Sequence, residues 1–85
     1  MKIKVKVAKR DSRVVKIKTE YIRLCDLLKF ASVAMTGGEA KIYITEGLVR
    51  VNGEVCTAKG KKIYPGDVVT FENDELIIAG AENEE

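Results

Sequence analysis

The sequence contains few of the residues on which catalytic and metal sites depend. Its 85 residues include no histidine, no tryptophan, one proline and two cysteines. Without histidine, the chain lacks the side chain whose ordinary pKa best suits acid–base chemistry near neutral pH. Cys25 and Cys56 are far apart in sequence and do not form the ligand cluster of a zinc site. We expect them to be buried free thiols, with a disulfide as the alternative, and we predict no catalytic residue, metal or cofactor.

Long apolar runs and nucleotide-binding loops are also missing. No apolar stretch approaches the ~20 residues of a membrane span. The charged alternation after Met1 is unlike a secretory signal, so we expect a cytoplasmic protein with no membrane partner. The glycines do not match the G-x-x-x-x-G-K-[ST] pattern of a phosphate-binding loop. Size and composition therefore favour one small, non-enzymatic, monomeric protein without a small-molecule substrate.

Charge is unevenly distributed along the chain, although the net charge is only +2. Residues 1–18 contain eight basic residues and one acidic residue, whereas residues 63–85 contain seven acidic residues and no basic one. Such asymmetry favours a basic region that meets a polyanion and an acidic end that stays in water. The alternative is that the lysines only solvate the face of a strand.

The N-terminal residues alternate between apolar and basic side chains. Residues 1–7 and 14–18 follow this pattern, with Val15 and Ile17 on one face and lysines on the other. Residues 8–13 are polar and turn-like, with Asp11-Ser12 at the tip. We predict a β-hairpin extension over residues 1–19, which either contacts a phosphate-rich ligand through its lysine face or only covers the core.

Two helices are predicted in the middle of the chain. Leu24, Leu27, Leu28 and Ala31 have the i, i+3, i+4, i+7 spacing of a first helix, with Phe30 widening its apolar stripe.

The second helix begins with a capping box. The Thr36 hydroxyl accepts from a first-turn N–H, and Glu39 reaches back to the N–H of Thr36 itself, which explains Glu39 better than catalysis does. Ala40, Tyr43, Ile44 and Gly47 form the inward stripe of this helix.

Turn signals divide the remainder into short strands. Asn52-Gly53 predicts a tight hairpin, and Pro65-Gly66 predicts a type II turn. The predicted strands are Leu48–Val51, Glu54–Thr57, Val68–Phe71 and Glu75–Ile78, the last two around Asn73-Asp74. A lysine-rich loop, Ala58–Lys62, lies between the second and third of these strands.

This order of elements resembles the S4 RNA-binding domain, and the chain is similar to the small stand-alone bacterial S4 proteins of the YaaA and YbcJ type. The matching residues are Thr36, Ala40-Lys41, Gly47 and Val51-Asn52-Gly53, and the resemblance covers residues 21–78. Many S4 domains have arginine where this chain has Gly37, so one of their contacts is missing here. The resemblance implies an α+β, S4-like (alpha-L) fold, with two short helices on a small, mostly antiparallel sheet. It would occupy residues 20–79, between the N-terminal hairpin and an acidic tail at residues 80–85.

The resemblance implies binding of structured RNA, either ribosomal RNA or a ribosomal particle, in a basic cleft between the second helix and the hairpin. Free N–H groups at the helix start attract phosphate, and the scarcity of exposed aromatic residues favours recognition of RNA by shape. The candidate RNA-binding residues are Arg23, Thr36, Gly37, Gly38, Lys41, Arg50, Asn52, Lys59, Lys61 and Lys62. Two alternatives stay open: a protein-interaction module whose basic face docks on an acidic partner, and an S4 module that serves a separate RNA-modifying enzyme.

Overall fold

The computed structural model describes residues 11–80. It contains two helices and seven short strands. In chain order they are β1 (Asp11–Ile17), β2 (Ile22–Arg23), α1 (Leu24–Phe30), α2 (Gly37–Thr45), β3 (Val49–Val51), β4 (Glu54–Val55), β5 (Lys62–Ile63), β6 (Val68–Phe71) and β7 (Asp74–Gly80). None of the helices in this part of the chain is long and apolar enough to cross a membrane.

Five strands form one mixed sheet, in the order β1-β7-β6-β3-β4. Its pairs are antiparallel except for β1, which runs parallel to β7 with Val15 opposite Ile78. The strands β2 and β5 form a separate antiparallel ribbon. The predicted class, an α+β fold with two helices on a mostly antiparallel sheet, is confirmed.

The core lies between the helices and one face of the sheet. In β3, Val49 and Val51 are buried and Arg50 between them is exposed, because side chains alternate along a strand. The buried residues of the helices and strands form one apolar cluster, and no polar residue is buried in the described part of the chain. In α1, Leu24, Leu27 and Leu28 are fully buried, which stabilises the fold by about 1.5–3 kcal/mol for each side chain.

Both predicted helices are present, with two local differences. In α1 the predicted stripe is buried, but Phe30 is 62% exposed and does not widen it. At 100° per residue, Phe30 lies about 100° around the helix from the centre of the stripe. At the start of α2, the Glu39 N–H donates to Thr36 Oγ1 at 3.1 Å, as predicted. However, Glu39 Oε1 accepts from the N–H of Met35 at 2.7 Å, one residue before the one predicted.

The N-terminal prediction is wrong for residues 11–13, which belong to β1 and not to a turn. Pairing with β7 extends over the whole of β1, from Asp11 opposite Asp74 to Ile17 opposite Gly80, and this holds Asp11-Ser12 in an extended conformation. The predicted alternation of Val15 and Ile17 inward and Lys16 outward is confirmed. The strand predicted over residues 1–7 lies outside the described residues, as do residues 81–85 of the predicted tail.

The turns follow the predicted chemistry at two of three sites. Asn52 and Gly53 have φ values of 52° and 89°, as the two central residues of a type I′ turn require. Gly66 has a φ of 102°, and the Asp67 N–H donates to the Tyr64 carbonyl at 3.0 Å, which closes the type II turn. The last turn is centred on Glu72 and Asn73 and not on Asn73-Asp74, because Asp74 already pairs with Phe71.

Candidate nucleic-acid interface

The lysine loop, residues 58–62, is attached to the start of α1. The Leu24 N–H donates to the Lys61 carbonyl at 2.9 Å, and the Cys25 N–H donates to the Lys59 carbonyl at 3.2 Å. The first N–H groups of a helix have no partner within the helix, and the loop carbonyls satisfy two of them. Both lysine side chains are exposed. The loop backbone is therefore fixed on the protein while its charges face solvent.

The ribbon of β2 and β5 places one further cation, Arg23, beside the last lysine of this loop, Lys62. In the register of this ribbon Arg23 lies opposite Lys62 and Ile22 lies opposite Ile63. The two isoleucines pack against the core. Since Ile63 is buried, the alternation of the strands directs the side chains of Tyr21, Arg23, Lys62 and Tyr64 to the outer side. We call these four residues the ribbon face. The structure thus brings together four of the predicted site residues: Arg23, Lys59, Lys61 and Lys62.

Aromatic rings lie among these cations. Lys62 Nζ is 5.0 Å from the centre of the Tyr21 ring, a cation–π distance. The rings of Tyr21 and Tyr64 are 5.8 Å apart and tilted by 49°. Sequence reasoning missed these tyrosines because it did not predict the pairing of β2 with β5. The only local signal is the mirrored pattern of Tyr-Ile-Arg at residues 21–23 and Lys-Ile-Tyr at residues 62–64.

The start of α2 is held at the other end of α1. The N–H groups of Val33 and Ala34, in the linker before α2, both donate to the Leu28 carbonyl. Gly37 has open space where a side chain would be, and at Gly38 the nearest atom to an added Cβ would be Thr36 Oγ1 at 3.9 Å. Lys41 is exposed one turn further on. The described hydrogen bonds join the lysine loop to the start of α1 and the linker to the end of α1. A basic cleft that includes both the start of α2 and the lysine loop therefore stays a prediction.

Arg50 does not face α2, as the cleft predicted from sequence would require. Its neighbours Val49 and Val51 point into the core beneath the helices, so Arg50 points from the opposite face of the sheet. There it borders a depression with Thr70 and Glu75, and its Nη1 lies 3.4 Å from the Gly53 carbonyl. A contact of Arg50 with RNA would therefore use a different side of the protein from α2.

Asn52 has its side-chain groups occupied within the protein. Its Nδ2 donates to Asp67 Oδ1 at 3.1 Å, and its Oδ1 accepts from the Val68 N–H at 2.9 Å. The other carboxylate oxygen of Asp67 accepts from the Tyr64 N–H at 2.8 Å. The V-N-G hairpin and the P-G-D turn are thus locked together, which gives Asn52 a structural role that the sequence did not reveal.

The two cysteines and the acidic residues do not form a further site. Cys25 and Cys56 are free thiols, as predicted, but both are half-buried where the sequence predicted burial. Between residues 11 and 80, no group of three histidine, cysteine or acidic residues is arranged to hold a metal ion.

The S4 domain model matches residues 15–79, which is most of the chain. The protein belongs to the S4 domain family, as its sequence indicated. It is 46% identical over 54 residues to YbcJ of Escherichia coli K12, whose name provisionally describes an RNA-binding protein; the match covers 64% of this chain and 77% of YbcJ. It is 45% identical over 58 residues to RlbA of Bacillus subtilis 168, named provisionally as a ribosome maturation protein; that match covers 68% of this chain and 82% of RlbA.

A solved structure supports the same assignment. The solution structure of E. coli YbcJ, described as containing an ALFAL motif involved in RNA binding, matches with a TM-score of 0.60 and 32% sequence identity. The match covers 93% of this chain and 99% of YbcJ. Family, relatives and fold together support an RNA-binding function.

Proposed function

We propose that the protein binds structured RNA, specifically ribosomal RNA or a ribosomal particle, as a cytoplasmic, monomeric and non-enzymatic factor. The relative RlbA, through its name, supports the ribosomal choice. The family supports a binding function over a catalytic one. A separate enzyme that modifies the same RNA is compatible with this proposal, because this protein would then bind the RNA and the partner would catalyse the reaction.

The observation that carries the proposal is the attachment of the lysine loop to the start of α1. The hydrogen bonds to the carbonyls of Lys59 and Lys61 fix the loop, and strand pairing aligns Arg23 with Lys62. These four cations are exposed, and the protein backbone that carries them is already fixed. They can therefore contact the phosphates of an RNA with little loss of conformational entropy in the protein. We define this basic surface as Arg23, Lys59, Lys61 and Lys62.

The start of α2 is a second proposed contact. Thr36 fixes the first turn, and Gly37 and Gly38 leave the backbone there open, since added side chains would meet almost nothing within the protein. Close approach of a phosphate to free N–H groups is favourable at such a helix start. Lys41 adds an exposed positive charge beyond this turn.

The test is filter binding of a folded ribosomal RNA fragment over a series of salt concentrations. The affinity should fall with salt, with a log–log slope of about −0.7 to −0.9 for each phosphate neutralised. Lys61→Glu should weaken binding and make the slope less steep by about that amount. Lys41→Glu tests the start of α2 separately.

Lys29→Glu is the matched control, because Lys29 is also exposed but lies in the last turn of α1, away from the lysine loop. It makes the same change in total charge. Equal losses for Lys29→Glu and Lys61→Glu would mean that net charge, and not the basic surface, governs binding. Affinity without salt dependence would overturn the electrostatic mechanism as a whole.

The second candidate is a protein-interaction module, and exposed apolar residues favour it. Phe30, at the end of α1, and Met35, in the linker before α2, are 62% and 85% exposed, and Ile42 on α2 is 59% exposed. The absorbance ratio at 260 and 280 nm of purified protein, before and after a high-salt wash, separates the two candidates. Nucleic acid that leaves only in high salt favours RNA binding.

A further inference from the structure

The ribbon face offers aromatic surface of a kind that the core does not. Tyr43 and Phe71 are stacked with their rings 4.7 Å apart and 26° from parallel, and Phe71 is buried, so this pair belongs to the core. Tyr21 and Tyr64 instead meet at 49°, which is not a face-to-face stack, and Tyr64 is 42% exposed. A tilted pair in which Tyr64 is exposed and Tyr21 is half-buried leaves ring surface, chiefly that of Tyr64, on which a further flat group can stack.

The backbone on both sides of these rings is fixed. The Tyr21 carbonyl accepts from Thr19 Oγ1 at 2.7 Å. The Tyr64 N–H donates to Asp67 Oδ2 at 2.8 Å, and its carbonyl accepts from the Asp67 N–H at 3.0 Å. Because neither strand has to become ordered on binding, stacking on these rings would retain most of its free energy.

The surrounding charges select the ligand and its orientation. Arg23 and Lys62 belong to the ribbon face itself, and the lysine loop continues from it. Glu20 and Asp26 border the same depression as Tyr21 and Arg23. A flat group attached to phosphates therefore fits with its ring on the tyrosines and its phosphates toward Lys62 and the lysine loop, because these cations attract phosphate.

We propose that the ribbon face stacks one unpaired base of an RNA whose neighbouring paired region lies on the basic surface. This inference rests on the proposed RNA-binding function and specifies its substrate as a helix with an unpaired nucleotide. Base–aromatic stacking tolerates any base, so the site selects an unpaired nucleotide by its accessibility and not by its identity.

The experiment compares two RNA hairpins with the same stem, one of which has a single bulged nucleotide. The wild-type protein should bind the bulged hairpin roughly 5- to 150-fold more tightly, the range expected for one stacked base. Tyr64→Leu should remove this preference and leave the affinity for the plain stem unchanged. Tyr64→Phe, which keeps the ring, should retain the preference.

The outcomes separate the two proposals. Equal wild-type affinity for both hairpins, or an equal loss for both in Tyr64→Leu, overturns the stacking inference but not RNA binding. Failure of the wild-type protein to bind either hairpin overturns both. Far-UV circular dichroism checks that each variant is folded, and if Tyr64→Leu is not, Tyr21→Leu provides the same comparison from the other strand.

Discussion

Replacement of Asn52 tests whether the two turn motifs of this fold stabilise each other. Asn52→Gly removes the hydrogen bonds to Asp67 Oδ1 and from the Val68 N–H but leaves the positive φ of 52° accessible, because glycine adopts it without strain. One lost hydrogen bond joins neutral groups, and the other involves a carboxylate. Because both are exposed, we take the lower end of the usual net contribution of each kind of hydrogen bond to stability, which gives about 2 kcal/mol in total.

A loss of about 2 kcal/mol should lower the melting temperature of a domain of this size by roughly 8–16 °C. Thermal unfolding followed by circular dichroism measures this shift. Glu72→Gly is the matched control: Glu72 has a φ of 54° in another hairpin turn, and its side chain makes no hydrogen bond among the described residues. There glycine relieves strain, so the melting temperature should stay the same or rise.

Two results would refute this reasoning. The first is a melting temperature for Asn52→Gly that is no lower than that of Glu72→Gly. The second is additivity with Asp67→Ala, because residues that share a hydrogen bond should show coupling in a double-mutant cycle. At temperatures where Asn52→Gly is folded, its RNA affinity should equal that of the wild type, since the side chain is committed to the protein and not to the ligand.

Three further predictions follow from the helices. Thr36→Ala should cost about 1 kcal/mol by removing the cap of α2, with a melting temperature lower by roughly 4–8 °C, and Thr36→Ser should restore it. Gly38→Ala should raise stability by up to about 1 kcal/mol, because the added methyl group meets almost no other atom. The same variant should bind RNA more weakly if the ligand approaches the backbone at Gly38. An unchanged affinity would show that the start of α2 is not part of the interface. Leu27→Ala should cost about 2–5 kcal/mol in denaturant unfolding, whereas Phe30→Ala should cost far less because its side chain is largely exposed.

Local patterns predicted what local chemistry controls. The stripe of α1, the threonine cap of α2 and the Asn52-Gly53 turn each depend on residues within one or two turns of chain, and all are present. The error at Asp11-Ser12 has a different origin. These residues look like a turn in isolation, but partners more than sixty residues away hold them in a strand.

The site shows the same division. The exposure of the lysine loop could be predicted from its composition, but its attachment to α1 through the carbonyls of Lys59 and Lys61 could not, because backbone carbonyls leave no mark in a sequence. Arg50 was placed on the correct side of its own strand. Which side of the sheet the helices cover depends on the packing of the whole domain, so the predicted cleft wrongly included it.

The parallel pairing of β1 with β7 has a consequence for the order in which the domain is assembled. During synthesis, residues 11–17 leave the ribosome well before residues 74–80. The pairing of β1 with β7 therefore cannot form until nearly all the described residues have been synthesised. Closing a segment of this length costs on the order of 3–4 kcal/mol in chain entropy. The helices and the β3–β4 hairpin form from near neighbours and can fold first. The earliest described strand to be synthesised is therefore the last to join the sheet.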